Sequence, residues 1–164
     1  MELNKYIDHT NLKNTATLKD IEKLCNEAIK YRFASVCVYP YYVPLAASLL
    51  KNSNVEVCTV IGFPSGMSTK EVKVYEAIDA VEKGATEIDM VINIASLKNN
   101  DYDYIKEEIE EIRDAIDGKV LKVIIETCLL SEEEIIKMTE ICNETFVNFI
   151  KTSTGFSEYG ARVE

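Results

Sequence analysis

The stretch TEIDMVIN, Thr86 to Asn93, alternates acids with apolar residues. In an extended strand successive side chains point to opposite faces. Glu87 and Asp89 therefore share one face, and Ile88, Met90 and Ile92 share the other. VLKVIIET, Val120 to Thr127, repeats the pattern, with Lys122 and Glu126 on one face and Val123 and Ile125 opposite. In FVNFIKTS, Phe146 to Ser153, Lys151 shares a face with Phe149 and Ser153. Asp8 and Thr10 alternate in the same way at the first strand. Four strands thus each carry one apolar face and one face with polar or charged groups.

The first strand is the run KYID (Lys5 to Asp8), and two further β-rich runs follow it, FASVCVY (Phe33 to Tyr39) and VEVCTVIGF (Val55 to Phe63). Amphipathic stretches separate the six runs. Thr17–Tyr31 places Leu18, Ile21, Leu24, Cys25, Ala28 and Ile29 on one side. Ser68–Gly84 opens on a Ser/Thr cap and closes on glycine. Tyr102–Gly118 also ends on glycine, and Leu130–Glu144 carries Ser131 and Glu134 at capping-box spacing. Strand–helix alternation of this kind predicts a parallel α/β sheet. A doubly wound sheet would be covered by helices on both faces and be apolar on both. A barrel lets the charged faces converge in its interior, and that is the fold predicted here: a (β/α)8 TIM-barrel type. A full barrel typically needs eight units and about 250 residues. This chain has 164 residues and about six β/α units, so it reads as one incomplete barrel domain, 1–164, without the last two units.

The net charge of −10 disfavours nucleic acid and anionic membranes as partners. Met1 is followed by no basic-then-apolar leader, and no apolar run approaches the ~20 residues that span a bilayer. The five cysteines are widely spaced without a CxxC, which predicts reduced, buried thiols and a cytoplasmic chain. One histidine, His9, cannot build a histidine metal site and reads as a hydrogen-bonded structural residue. IGFPSG, Ile61 to Gly66, reads as a turn between the third strand and its helix, and the acidic run Glu107–Glu111 as a solvated helix face.

Lys151 is the residue that demands an explanation. A buried ammonium is costly unless it is paired or has lost its proton. At its ordinary pKa of ~10.4, a lysine is neutral in only about one molecule in a few thousand at pH 7. Burial or a neighbouring cation frees the lone pair, which can then attack a carbonyl and form a Schiff base. Asp89, also near a strand end, could move the protons. Spacing alone leaves a second reading open, in which an ion pair of Lys151 with Asp89 or Glu126 only neutralises the barrel interior.

YIDHTNLK, SVCVYP, VCTVIGFPSG, EIDMVINIASLK, LKVIIET and FIKTSTGFS occur in this order between Tyr6 and Ser157. The set resembles the 2-deoxyribose-5-phosphate aldolase family, class I Schiff-base aldolases on a (β/α)8 barrel. The resemblance implies a carbon–carbon lyase that needs no metal or cofactor. Such an enzyme cleaves 2-deoxyribose 5-phosphate, a small phosphorylated sugar, to glyceraldehyde 3-phosphate and acetaldehyde. It also implies that Lys151 forms the Schiff base and that Asp89 is the acid/base. Asp8 and Thr10 then orient water or substrate hydroxyls, and Lys122 and Glu126 support the interior charge network. Cys37 lines the pocket or packs the core, the two readings being equally open. Ser153, Thr154 and Gly155 belong to the phosphate site. The family's second active-site lysine, in a seventh-strand run like KASGG, and its glycine- and serine-rich phosphate loops have no counterpart in these 164 residues. The expectation is an impaired aldolase. The alternative is a non-catalytic truncated barrel that associates with itself through open strand edges, and a homo-oligomer is expected either way. A doubly wound phosphate-binding module is the remaining, weaker alternative.

Overall fold

A computed structural model describes residues 2–162. Its strands are β1 (Asp8–Asn11), β2 (Ser35–Val38), β3 (Glu56–Ile61), β4 (Glu87–Val91), β5 (Val120–Ile124) and β6 (Phe149–Lys151). They follow one another in the sheet in chain order, β1 to β6. A doubly wound sheet reverses its order at a switch point. The unreversed order here is that of a βα barrel, and it removes the doubly wound alternative.

The chain divides into two compact units, Met1–Val60 with Asp79–Ile88 and Ile61–Ile78 with Asp89–Glu164. In the first, β1 and β2 pair in parallel with Asp8 opposite Ser35 and Thr10 opposite Cys37, and Cys37 in turn faces Cys58 of β3. Helix α1 (Leu18–Tyr31) starts in a capping box: Asp20 donates its N–H to Thr17 Oγ1 and accepts the N–H of Thr17. It buries Ile21, Leu24, Cys25 and Ala28. The first strand begins later than KYID predicts. Leu3–Tyr6 form a single 3-10 turn instead, because Asn4 turns back to donate to the carbonyls of Tyr31 and Arg32 at the end of α1. Helix α2 (Val43–Leu50) places proline in its first turn, where a missing N–H costs nothing. It buries Val43, Ala46 and Leu50.

The second unit holds most of α3 (Lys70–Glu82), the end of β4, the short α4 (Ile94–Lys98), α5 (Tyr102–Ala115), β5, α6 (Glu132–Glu144) and β6. Helices α2 and α4 add to the four that the spacing predicts. Asn93 caps α4 by accepting the N–H of Ser96, Asp101 caps α5, and Ser131 and Glu134 form the expected capping box on α6. Strands β5 and β6 pair in parallel, with Lys122 opposite Phe149 and Ile124 opposite Lys151. The Ile92 N–H reaches the Ile124 carbonyl at 3.2 Å and ties the end of β4 to β5. Ile105, Ile109 and Ile112 of α5 are fully buried, as are Leu121 and Val123 on the β5 face opposite Lys122. The IGFPSG stretch is the expected turn. Gly66 takes φ +72°, and a Cβ there would stand 1.9 Å from the Ile92 carbonyl oxygen, so only glycine fits.

Candidate active site

Three neighbouring strands of the second unit bring three charged side chains to one point. Asp89, from β4, is fully buried. Lys151, from β6, donates a hydrogen bond to Asp89 Oδ2. Lys122, from the strand between them, places its Nζ 3.4 Å from Asp89 Oδ1. Each carboxylate oxygen thus faces its own ammonium group. The Lys151 side chain keeps 34% of its surface exposed while Asp89 keeps none. The lysine side chain is thus partly open to solvent, and its acid partner is sheltered from water.

Glu126 sits elsewhere than the strand alternation predicts. Strand β5 ends at Ile124, and Glu126 takes a left-handed conformation, φ 53°, that starts a 3-10 turn over Thr127–Leu129. Its buried carboxylate accepts from the N–H of Thr154 at 3.2 Å and from the Thr154 hydroxyl. Thr127 N–H donates to the Thr152 carbonyl at 2.8 Å, so the loop after β6 is laced to the loop after β5. Glu126 is therefore a loop anchor, whereas the pairing of Lys151 falls to Asp89. Ser153 Oγ donates to Thr152 Oγ1 at 3.1 Å, and Thr154 Oγ1 accepts the N–H of Phe156 at 3.0 Å. Gly155, at φ +81°, has nothing within 4 Å of where a Cβ would stand, so its backbone is accessible. The Phe156 ring meets Phe63 edge to face, with centroids 5.2 Å apart.

The other three sequence-derived site residues lie in the first unit. Asp8 accepts from Ser35 Oγ at 2.8 Å. Thr10 is exposed and donates its hydroxyl to the Asp8 carbonyl. Cys37 is buried and free. His9 pairs with Glu27 at 2.9 Å and packs on Phe33, in keeping with a structural role.

The acidic run on α5 keeps Glu107 and Glu111 on the exposed face expected of it, and departs from that expectation at Glu108. Glu107 and Glu111 flank Lys70 at 3.2 and 2.7 Å. Glu108 is fully buried, as is Lys73 of α3, and the two meet at 2.6 Å. Burial pulls the Lys73 ammonium below its ordinary value, and the Glu108 charge opposes this. Burial likewise pushes the Glu108 carboxyl up, against the pull of Lys73. A signal for the pair exists in the sequence. Glu108 falls inside the apolar stripe Ile105, Ile109, Ile112, and Lys73 lines up with Ala77 and Ala80.

Residues 3–163 match the family described as DeoC/LacD family aldolase. The chain belongs to that aldolase family. A curated relative from Metamycoplasma hominis, named deoxyribose-phosphate aldolase, is 59% identical over 163 residues, covering 99% of this chain and 75% of its own length. A crystal structure from Coccidioides immitis superposes with a TM-score of 0.96 at 40% identity, over 98% of this chain and 64% of that one. The deoxyribose phosphate aldolase from Aeropyrum pernix, described as a unique tetramer, gives 0.89 at 32% identity, over 96% of this chain and 67% of that one. The chain thus spans about three quarters of that curated relative and 64% of the first of these structures. The aldolase fold that they share accounts for the unreversed strand order. Among the described residues, no helix is long and apolar enough to cross a membrane.

Proposed function

We propose that this aldolase-family chain cleaves 2-deoxy-D-ribose 5-phosphate to glyceraldehyde 3-phosphate and acetaldehyde through a Schiff base on Lys151. The observation that carries the reading is the contact of the partly exposed Lys151 side chain with a buried Asp89 carboxylate. Lys151 must give up a proton before it can attack, and Asp89 lies within reach to take it. The free amine adds to the substrate aldehyde at C1, and loss of water leaves an iminium. Removal of the proton from the C3 hydroxyl then breaks the C2–C3 bond. The electron pair flows into the iminium to give an enamine, and C3 departs as the aldehyde carbon of glyceraldehyde 3-phosphate. Protonation of the enamine carbon and addition of water release acetaldehyde and restore the amine. Asp89 carries protons through these steps, and Lys122 holds its second oxygen in place. The loop Ser153–Gly155, fixed by Glu126 through the Thr154 N–H, leaves the exposed backbone of Gly155 for the phosphate side of the substrate.

Borohydride added in the presence of acetaldehyde reduces a trapped imine. The expected result is an ethyl group on the peptide that contains Lys151, found by mass spectrometry. No adduct, under conditions that label the Metamycoplasma hominis relative, overturns the proposal.

We also infer that copies of the chain associate. Phe146, Phe149 and Ile150, at and just before β6, are 80%, 57% and 38% exposed, a larger apolar surface than one short strand usually shows to water. Sedimentation at micromolar concentration is expected to show an oligomer, and a stable monomer counts against this.

A further inference from the structure

The second unit holds a fully buried ion pair outside the Lys151–Asp89 contact. Lys73 and Glu108 are both fully inaccessible. Two ions taken out of water cost several kcal/mol each, and apolar residues of similar volume often serve stability as well or better. The bonds made by this pair converge on one short piece of backbone. Lys73 Nζ donates to the Val91 carbonyl at 2.8 Å, and Glu108 Oε2 accepts the N–H of Asn93 at 3.1 Å. Between these two points, the N–H of Ile92 binds β5 and its carbonyl is crowded by Gly66. The turn before α3 closes over the lysine: a Cβ on Gly62 would stand 2.6 Å from Lys73 Cε, and Gly62 N–H is held by Glu76 at 2.8 Å. Every peptide from Val91 to Asn93 is therefore held, two of them by the buried pair.

We propose that Lys73 and Glu108 are positioning residues for Asp89, fixing the exit of β4 so that the carboxylate two residues upstream stays against Lys151. Asp89 and Val91 point to the same side of the strand, so a rotation of the peptides at the exit is carried directly to the carboxylate. A misplacement of about 1 Å at a reacting group can cost roughly 10²-fold in rate. The kinetic consequence rests on the Schiff-base reading above. The geometric claim does not.

The test has two parts. Amide hydrogen exchange on the unaltered protein needs no variant: the Asn93 N–H is expected to be as protected as that of Ile92. Exchange at the rate of a surface amide overturns the proposal. The second part uses the double variant Lys73→Met/Glu108→Leu, which keeps volume and removes both charges, alongside Glu108→Gln, which keeps an oxygen for Asn93. The double variant is expected to stay folded, while borohydride trapping of acetaldehyde on Lys151 slows at least about 10-fold and Glu108→Gln restores most of the rate. With Lys73 and Glu108 intact, Asp89→Asn is expected to shift the Lys151 Cε resonance, and this shift is expected to shrink in the double variant. A folded double variant with the full trapping rate and the full Asp89-dependent shift overturns the proposal. Loss of that shift, in a protein whose unaltered form traps no imine, supports the positioning role and sinks the Schiff-base reading instead.

Discussion

Lys151 and Asp89 stand 62 positions apart in the chain, on strands separated by a third, and their side chains touch. Strand β5 between them does not hold them apart, because it sends Lys122 to the same carboxylate from the same face. Asp89→Asn removes the proton acceptor and keeps the shape. The rate of imine trapping on Lys151 is expected to fall by roughly 10²-fold, the usual range for loss of a positioned acid or base. Quench-flow with borohydride measures it, and an unchanged rate leaves Asp89 as a mere counter-ion.

Glu126 is the acceptor that ties the loop after β6 to the loop after β5. Glu126→Ala leaves the Thr154 N–H and hydroxyl without their partner, a loss of about 1–3 kcal/mol for buried groups. Because the loop carries Gly155, the KM for deoxyribose 5-phosphate is expected to rise roughly 10-fold, equivalent to about 1.4 kcal/mol of binding. Acetaldehyde has no phosphate to hold, so its trapping should change less. Equal losses with both molecules would refute the loop's part in phosphate binding.

The parts of this structure that the chain makes legible are those with local, periodic causes. The alternation in TEIDMVIN and VLKVIIET gives Asp89 and Lys122 to the charged faces of their strands, and in the fold Lys122 and Lys151 both meet Asp89. The Ser131–Glu134 spacing marks the start of α6 because a capping box is a four-residue device. Where long-range contacts decide, periodicity fails. Asn4 leaves the strand pattern to cap α1. Glu126 continues the alternation on paper, but its left-handed backbone takes it out of the strand. Glu108 looks like one acid in a solvated run because its partner, Lys73, lies 35 residues away.

Gly66 is locked by its neighbour. At φ +72° any side chain is strained, and the Ile92 carbonyl occupies the space that a Cβ needs. Gly66→Ala is expected to destabilise the fold by at least about 2 kcal/mol, the strain of the backbone plus a displaced β4 exit. Urea denaturation gives the value. A variant as stable as the parent would show that the turn can move away from β4.

The Ser131 cap gives a pH dependence with a definite sign. Glu134 is held below its ordinary value by Lys98, 2.6 Å away, and by the backbone N–H of Ser131. A carboxyl whose value is depressed in the folded state adds stability above its unfolded value near ~4.3, and that stability is lost as pH falls through the folded value. Glu134→Gln should therefore be less stable than the parent at pH 7, with the gap closing as the pH drops below ~4. Ser131→Ala should cost about 1 kcal/mol at neutral pH. Denaturation midpoints across pH 3–8 decide it, and a gap that widens in acid refutes the assigned sign.

The thiols should sort by depth. Burial pushes Cys25 and Cys142 up to about 11, and both are packed inside their helices' apolar faces. Only the thiolate attacks an alkylating reagent, so at pH 8 roughly one molecule in a thousand is competent at each position, and the reagent must also reach it. Cys37 and Cys58 are equally enclosed, whereas Cys128 is half-buried in the turn beside Glu126. Iodoacetamide on the folded protein should therefore modify Cys128 first. The other four should react only as fast as the chain opens, and peptide mass spectrometry over time separates these rates. Labelling of Cys25 or Cys142 as fast as Cys128 in native buffer would mean that the core around α1 or α6 is not closed.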